Sequence, residues 1–249
     1  MSRGVYTLAS GLLATENSIA KAAENLVNVN TNGYKSSVIE NKKFEPYMLL
    51  KKQGKNTKSL SECSDGIYSS NIRTDYSQGT VYETGRNLDV AIYGRGFFAL
   101  ESEGENMLLT REGSFLIDEE GYLATANGKR VLGEDGPVLL QTDKFNLDES
   151  GVITSESGEE LARLAIYYTS DDDLQRTDNN CFIATKAEKQ NLPSQETELV
   201  QGSLEESNVQ RVDEMIKTVE SSKLHAIYSK SIKIYDELEG KINTQILGN

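Results

Sequence analysis

The chain has 249 residues and a net charge of -13, with 37% hydrophobic and 26% charged residues, no Trp and three Pro. That length accommodates one or two domains with a real core, and the acidic balance argues against nucleic acid as main partner, since phosphate neutralisation needs a basic face. The charge is uneven: residues 1–60 hold nine Lys or Arg and four Glu, net +5, which leaves -18 for the remainder.

The first element in chain order is a helix over Val5 to Asn30. Leu8, Leu12, Thr15, Ile19, Ala22, Leu26 and Val29 recur at alternating steps of four and three, the a/d seam of a coiled coil. So narrow an apolar stripe needs a partner helix. The helix stops in Asn30-Thr31-Asn32-Gly33-Tyr34, where Asn32 or Gly33 can take the left-handed conformation that closes a helix. No continuous apolar run with a small-residue cleavage site marks the N-terminus, so sequence alone predicts a cytoplasmic product, unless it leaves the cell by a route that uses no cleaved peptide. No stretch reaches membrane-spanning length, and no membrane insertion is expected.

Residues 41–66 read as a linker with one short extended or helical piece. Its lysines, from Lys42 to Lys58, suit a solvated loop better than an anion-binding or membrane-surface patch. From Ile67 the pattern is that of strands: Ile67–Ile72, Gly79–Tyr82, Leu88–Tyr93, Phe97–Leu100, Phe115–Ile117 and Tyr122–Ala124. Asp118–Gly121 marks a hairpin corner, and Asn127-Gly128 signals a type I′ turn. Val152-Ile153, Leu161–Tyr168 and Cys181–Ala184 continue the series. Many short strands at close spacing predict a central antiparallel β domain.

Helical character returns after Pro193. Ser207 with Gln210 reads as a capping box, and Asp213 and Glu214 suit the first turns. Val209, Val212, Ile216 and Val219 open a second seam, which slips by one residue to Leu224 and continues through Ile227, Ser231, Ile234, Leu238, Ile242 and Ile246. The predicted fold class is therefore α+β, with long N- and C-terminal helices forming a coiled-coil inner layer and a central antiparallel β domain. The expected divisions are 1–40 plus 199–249 as a discontinuous helical assembly domain, 41–66 as linker, and 67–198 as the β domain.

Candidate chemistry is sparse. Gly94-Arg95-Gly96 lacks the third glycine and the following helix of a dinucleotide loop, so a bulge or close strand approach explains it better. Asp171-Asp172-Asp173 and Asp118-Glu119-Glu120 lack the alternating ligands of a Ca²⁺ loop. His225 is the only histidine, which leaves no catalytic triad or multi-histidine zinc set. Cys63 and Cys181 have no neighbouring ligand pattern and read as idle thiols. No catalytic, cofactor or metal residue is assigned. The seam residues Leu8, Leu12, Ile19, Leu26, Val29, Val212, Ile216, Val219, Ile227, Ile234 and Leu238 are the candidate assembly site, with Asn30, Thr31, Asn32, Gly33 and Tyr34 as the helix-stop motif.

Four segments carry a family resemblance: Ala23-Glu24-Asn25-Leu26-Val27-Asn28-Val29-Asn30-Thr31-Asn32-Gly33-Tyr34-Lys35, Leu88 to Phe98, Thr110-Arg111-Glu112-Gly113-Ser114-Phe115, and Gln201 to Val209. In that order and at those ends, the chain resembles the flagellar rod and hook family of bacterial axial proteins, nearest its distal-rod members. Val27 stands where the family usually has Ala, and Ser222–Ala226 departs from its Q-R-A-Y-E. The resemblance implies a non-enzymatic structural protein of the basal body, exported through the flagellar type III apparatus without a cleaved signal peptide. It implies polymerisation into a torque-transmitting tube, with copies of itself and other rod and hook proteins as partners. Hook or proximal-rod subunit is the nearer alternative. An envelope-associated coiled-coil adaptor or a cell-wall hydrolase with helical anchors is the alternative from another class.

Overall fold

A computed structural model of the chain describes residues 3–45, 47–53, 56–63, 66–102, 107–177, 179–184, 188–190 and 197–247. Pro46, Gly54, Lys55, Pro193 and the thiol of Cys63 lie outside the described residues. The described chain contains two α-helices, α1 (Arg3–Val27) and α2 (Arg211–Leu247), and short strands whose described registers are antiparallel. It divides into two compact units, one of residues 1–27, 37–73 and 210–249, the other of residues 28–36 and 74–209.

In the first unit, α2 would be about 55 Å long at the usual rise per residue. Its pairing with α1 corrects the expected coiled-coil inner layer. The six predicted seam positions of α2, from Val212 to Leu238, remain 48–67% exposed, so they do not interlock with α1. The helices meet instead where α1 has glycine: a Cβ at Gly4 would lie 2.7 Å from the Tyr235 hydroxyl, and one at Gly11 would lie 2.7 Å from Tyr228 Cζ. The physical reason is that a/d periodicity marks apolar positions, whereas these helices pack through side chains too small to register as apolar.

Two strands, Ser37–Lys43 and Ile67–Thr74, pair in the same unit, and the exposed rings of Phe44 and Tyr68 meet at a tilt of 39° with centroids 5.1 Å apart. The segment expected to be a linker forms an antiparallel ribbon, Tyr47–Gln53 against Asn56–Cys63. Cross-strand pairing, not periodicity, orders such a ribbon, which explains why the single-strand pattern was weak. The strand Ile67–Thr74 also belongs to this unit and not to the β body. α2 begins at Arg211, beyond the predicted capping box: the Ser207 hydroxyl instead accepts the Val209 N–H at 3.3 Å.

The second unit is built on a sheet in the spatial order 174–176, 181–184, 107–110, 97–100, 166–168, 188–190. Phe97-Phe98-Ala99-Leu100 is buried throughout because both faces of this strand are covered. Phe98 and Leu100 join the larger core with Val90, Ile92, Phe115, Leu123, Ile153 and Ile166. Phe97 and Ala99 face the other way, onto Leu109 and Phe182, with the Phe97 and Phe182 rings edge-to-face at 5.6 Å. The Asn127-Gly128 corner is not type I′. Only Gly128 has positive φ, Gly128 N–H reaches Thr125 O and Thr125 N–H reaches Lys129 O, the geometry of a three-residue loop closed by a glycine bulge. Consecutive positive φ values occur instead at Asn179 and Asn180, in the corner before Cys181.

Candidate functional site

The helix-stop motif enters the second unit one residue after α1 ends. Asn28 and Thr31 carbonyls accept the Thr31 and Tyr34 N–H groups, turning the chain, and Gly33 takes φ +66°. Asn32 is not among the residues with positive φ, which settles the choice between the two. Gly33 is required twice over. Its N–H donates to Glu205 O at 2.7 Å, and a Cβ there would lie 2.3 Å from the Arg111 carbonyl. Asn30 is exposed. Asn32 accepts the Asn180 side-chain amide on its carbonyl, 3.0 Å, and the Tyr82 hydroxyl on its own side chain, 3.3 Å. Tyr34 is buried beneath Arg176, whose guanidinium lies 4.1 Å from the ring centroid while it donates to Lys35 O at 2.7 Å. Thr31 completes the turn through a 3.2 Å contact of its hydroxyl with Asn28 Oδ1.

The residue after the motif anchors a knot of buried charge that sequence reasoning missed. Lys35 Nζ, wholly enclosed, donates to Glu205 Oε1 at 2.6 Å and to Ser77 O at 2.7 Å. Glu205 Oε1 also accepts Gly79 N–H at 2.9 Å. Arg111 lies 3.4 Å from Glu205 Oε2, a charge contact without hydrogen-bond geometry, and spends its guanidinium on the carbonyls of Ile92 and Gly94. Burial pushes the Lys35 ammonium below its usual range, with Glu205 opposing. It pushes Arg111 down likewise, again against Glu205. Asn208 closes the knot: Ser36 N–H donates to its Oδ1 at 2.7 Å, and its amide reaches Asp75 O at 2.8 Å. Each of the three charges sits in a different resembling segment. Gly113 follows the same logic, since a Cβ there would strike the Val90 carbonyl at 1.8 Å. A sequence signal therefore existed, one charge per segment, but nothing local says that the segments meet. This arrangement holds backbone; it presents no nucleophile, no acid–base pair and, among the described residues, no group of three or more metal-ligating side chains.

The predicted seam residues lie in two states. Leu8, Leu12, Ile19, Leu26 and Val29 are half-buried, while Thr15 and Ala22 of the same seam are buried, as are Gly11, Ala14 and Asn25 beside it. Asn25 exchanges two hydrogen bonds with the Ser37 backbone, at 2.9 and 3.1 Å, and so tethers α1 to the strand that follows. On α2, Val212, Ile216, Val219, Ile227, Ile234 and Leu238 are exposed, as are Met215, Leu224 and Ile242. No described helix is long and apolar enough to cross a membrane.

A β body locked by buried charges, and a long helix with nine large apolar residues exposed along it, suit an architectural protein. Comparison with known proteins specifies which kind. Residues 91–155 match the flagellar hook protein FlgE/F/G D1 domain, and residues 200–245 match the flagellar basal body rod FlgEFG protein C-terminal region. The flagellar basal-body rod protein FlgG of Borreliella burgdorferi is 28% identical, over 98% of both chains. FlgG of Agrobacterium fabrum is 27% identical over 98% of this chain and 99% of its own, and FlgF of Caulobacter vibrioides is 26% identical over 98% and 100%. In both matched regions, and along nearly its whole length, the chain is similar to structural proteins of the flagellar rod and hook family.

Proposed function

We propose that this subunit polymerises with copies of itself into a tube, in the distal part of the rod, with the apolar faces of α1 and α2 as its assembly contacts. The observation that carries the reading is the α2 face: nine large apolar residues from Val212 to Ile242 are about half exposed or more. Large apolar residues exposed in this number along one helix mark an interaction site. The faces become stable on enclosure by neighbours, and torque passes through the tube as contact between stiff units. Delivery through the flagellar type III apparatus and contact with the hook and other rod proteins complete the reading. The nearer alternative, a proximal-rod or hook position, draws on the FlgF relative and on the hook-protein domain matched by residues 91–155.

Sedimentation of purified full-length protein at rising concentration tests polymerisation. Growth of long assemblies, abolished by Ile227→Asp with the fold intact, is expected. A species that stays monomeric or dimeric at every concentration would favour an adaptor role instead. Labelled protein localised along isolated basal bodies separates the distal position from the proximal one.

A further inference from the structure

We infer that Tyr228 and Tyr235 of α2, seated over Gly11 and Gly4 of α1, fix the register of the helix pair and thereby decide which part of the α2 face a neighbouring copy meets. The last clause rests on the self-association proposed above; the register does not.

The contacts run in opposite directions along the two helices, Gly4 with Tyr235 and Gly11 with Tyr228, so the pair is antiparallel. Both partners repeat every seven residues, two helical turns, and therefore stay on one side of their helices. The next step of the same pattern places Ser18 with Ser221, and both line a cavity of about 180 Å³ together with Ala22 and Lys217. Glycine weakens a helix relative to alanine, so two glycines spaced seven apart within α1 call for a packing reason. The rings supply it: a Cβ at Gly11 would lie 2.7 Å from Tyr228 Cζ and 2.9 Å from Cε1.

An antiparallel pair with repeating apolar residues can slide by a heptad, about 10.5 Å, at little loss of buried area. Ile227 and Ile234 are exposed, stand outside this contact and do not set its register. The tyrosines do. Sliding one way brings Tyr228 onto Ser18, whose Cβ occupies the space that only glycine leaves open. Sliding the other way brings Ser221 onto Gly11, opening a void, and carries Tyr235 past the start of α1. Gly11 is the stronger of the two positions, because it is buried and Tyr228 is half-buried, whereas Tyr235 is 37% exposed.

Cysteines placed at Ser18 and Ser221 of the full-length protein, with Cys63 and Cys181 changed to serine, report the register through a short bis-maleimide cross-linker. Efficient cross-linking is expected in this parent. Gly11→Ala should lower it roughly threefold or more, as overpacking displaces the ring, with helix content by circular dichroism unchanged. Adding Tyr228→Leu to Gly11→Ala should restore at least half of the loss. Equal cross-linking in Gly11→Ala and parent overturns the inference. So does a loss that Tyr228→Leu fails to restore, because the ring would then not be its cause. If the parent cross-links as expected yet never polymerises, the self-association reading falls and the register assignment stands.

Discussion

Glu205 reaches back across 170 positions of sequence to place its carboxylate 2.6 Å from the Lys35 ammonium, with both side chains sealed from solvent. Three chain segments converge there, the turn after α1, the Arg111 loop and the strand that leads toward α2, and each contributes one charge. A buried pair of this kind adds little net stability over an apolar substitute, but it is costly to break by halves. It selects one arrangement of the three segments, because any other leaves a charge enclosed and unmatched.

Removing one partner should therefore hurt more than removing both. Lys35→Met leaves Glu205 facing Arg111 alone at 3.4 Å, and a cost of about 3–5 kcal/mol is expected. Lys35→Met combined with Glu205→Leu should recover a large part of it. Chemical denaturation of the three proteins checks this, and additive losses would show that the two residues act independently.

The Lys35 ammonium also gives the fold a pH signature. Burial lowers it from its usual 10.5, the Glu205 charge pulling the other way. Between the lowered value and 10.5 the unfolded chain binds more protons than the folded one, so this group makes folding more favourable as pH rises through that interval. Lys35→Met lacks the group. The stability of the parent minus that of Lys35→Met should increase as pH rises toward the ordinary value of the group, 10.5. A difference that shrinks over the same range would mean that the folded protein holds this proton more tightly than the unfolded chain does.

Much of this architecture is legible in the sequence, and the failures share a cause. Strand runs such as Val90–Gly94 and Phe97–Leu100 and the corner at Asp118–Gly121 declare themselves through local composition and turn chemistry. Gly33 declares itself because few residues tolerate its φ. The Lys35–Glu205–Arg111 knot does not, since no local pattern tells that residues 35, 111 and 205 meet. The helix pair was misread for a related reason. Leu12, Ile19 and Leu26 supply a strong period, but Gly4 and Gly11, over which the α2 rings sit, carry no hydrophobic signal. The ribbon of residues 47–63 escaped because its order lies in the pairing of two strands, each weakly patterned alone.

Gly33→Val tests how far the stop motif belongs to the β body. From sequence, the β domain should fold normally and only assembly should fail. The structure alters that expectation, because the added Cβ would lie 2.3 Å from the Arg111 carbonyl at a φ that itself costs about 1–2 kcal/mol for a β-branched residue. A drop of several kcal/mol in the unfolding free energy of the whole β unit is expected, together with loss of motility in cells carrying the variant. A melting curve unchanged from the parent would show that the turn is free to move away from Arg111.

Ile227→Asp and Ile234→Asp distinguish an assembly face from a core stripe. Both side chains are about half exposed, 58% and 48%, so a carboxylate at either position keeps its water in the free chain. The expected monomer effect is within about 0.5 kcal/mol, the usual range for surface changes. Enclosure by neighbouring copies reverses the account, because an unpaired charge held in an apolar contact costs several kcal/mol. Each variant should therefore melt like the parent yet fail to elongate, and cells expressing it should lack filaments. Leu26→Asp provides the comparison on α1, where the side chain is half-buried beside Asn25 and a larger monomer penalty is expected than for either α2 change. Should Ile227→Asp and Ile234→Asp instead unfold the purified monomer as severely as Leu26→Asp does, the α2 face would belong to the finished subunit, and the assembly contacts would have to be sought on another surface.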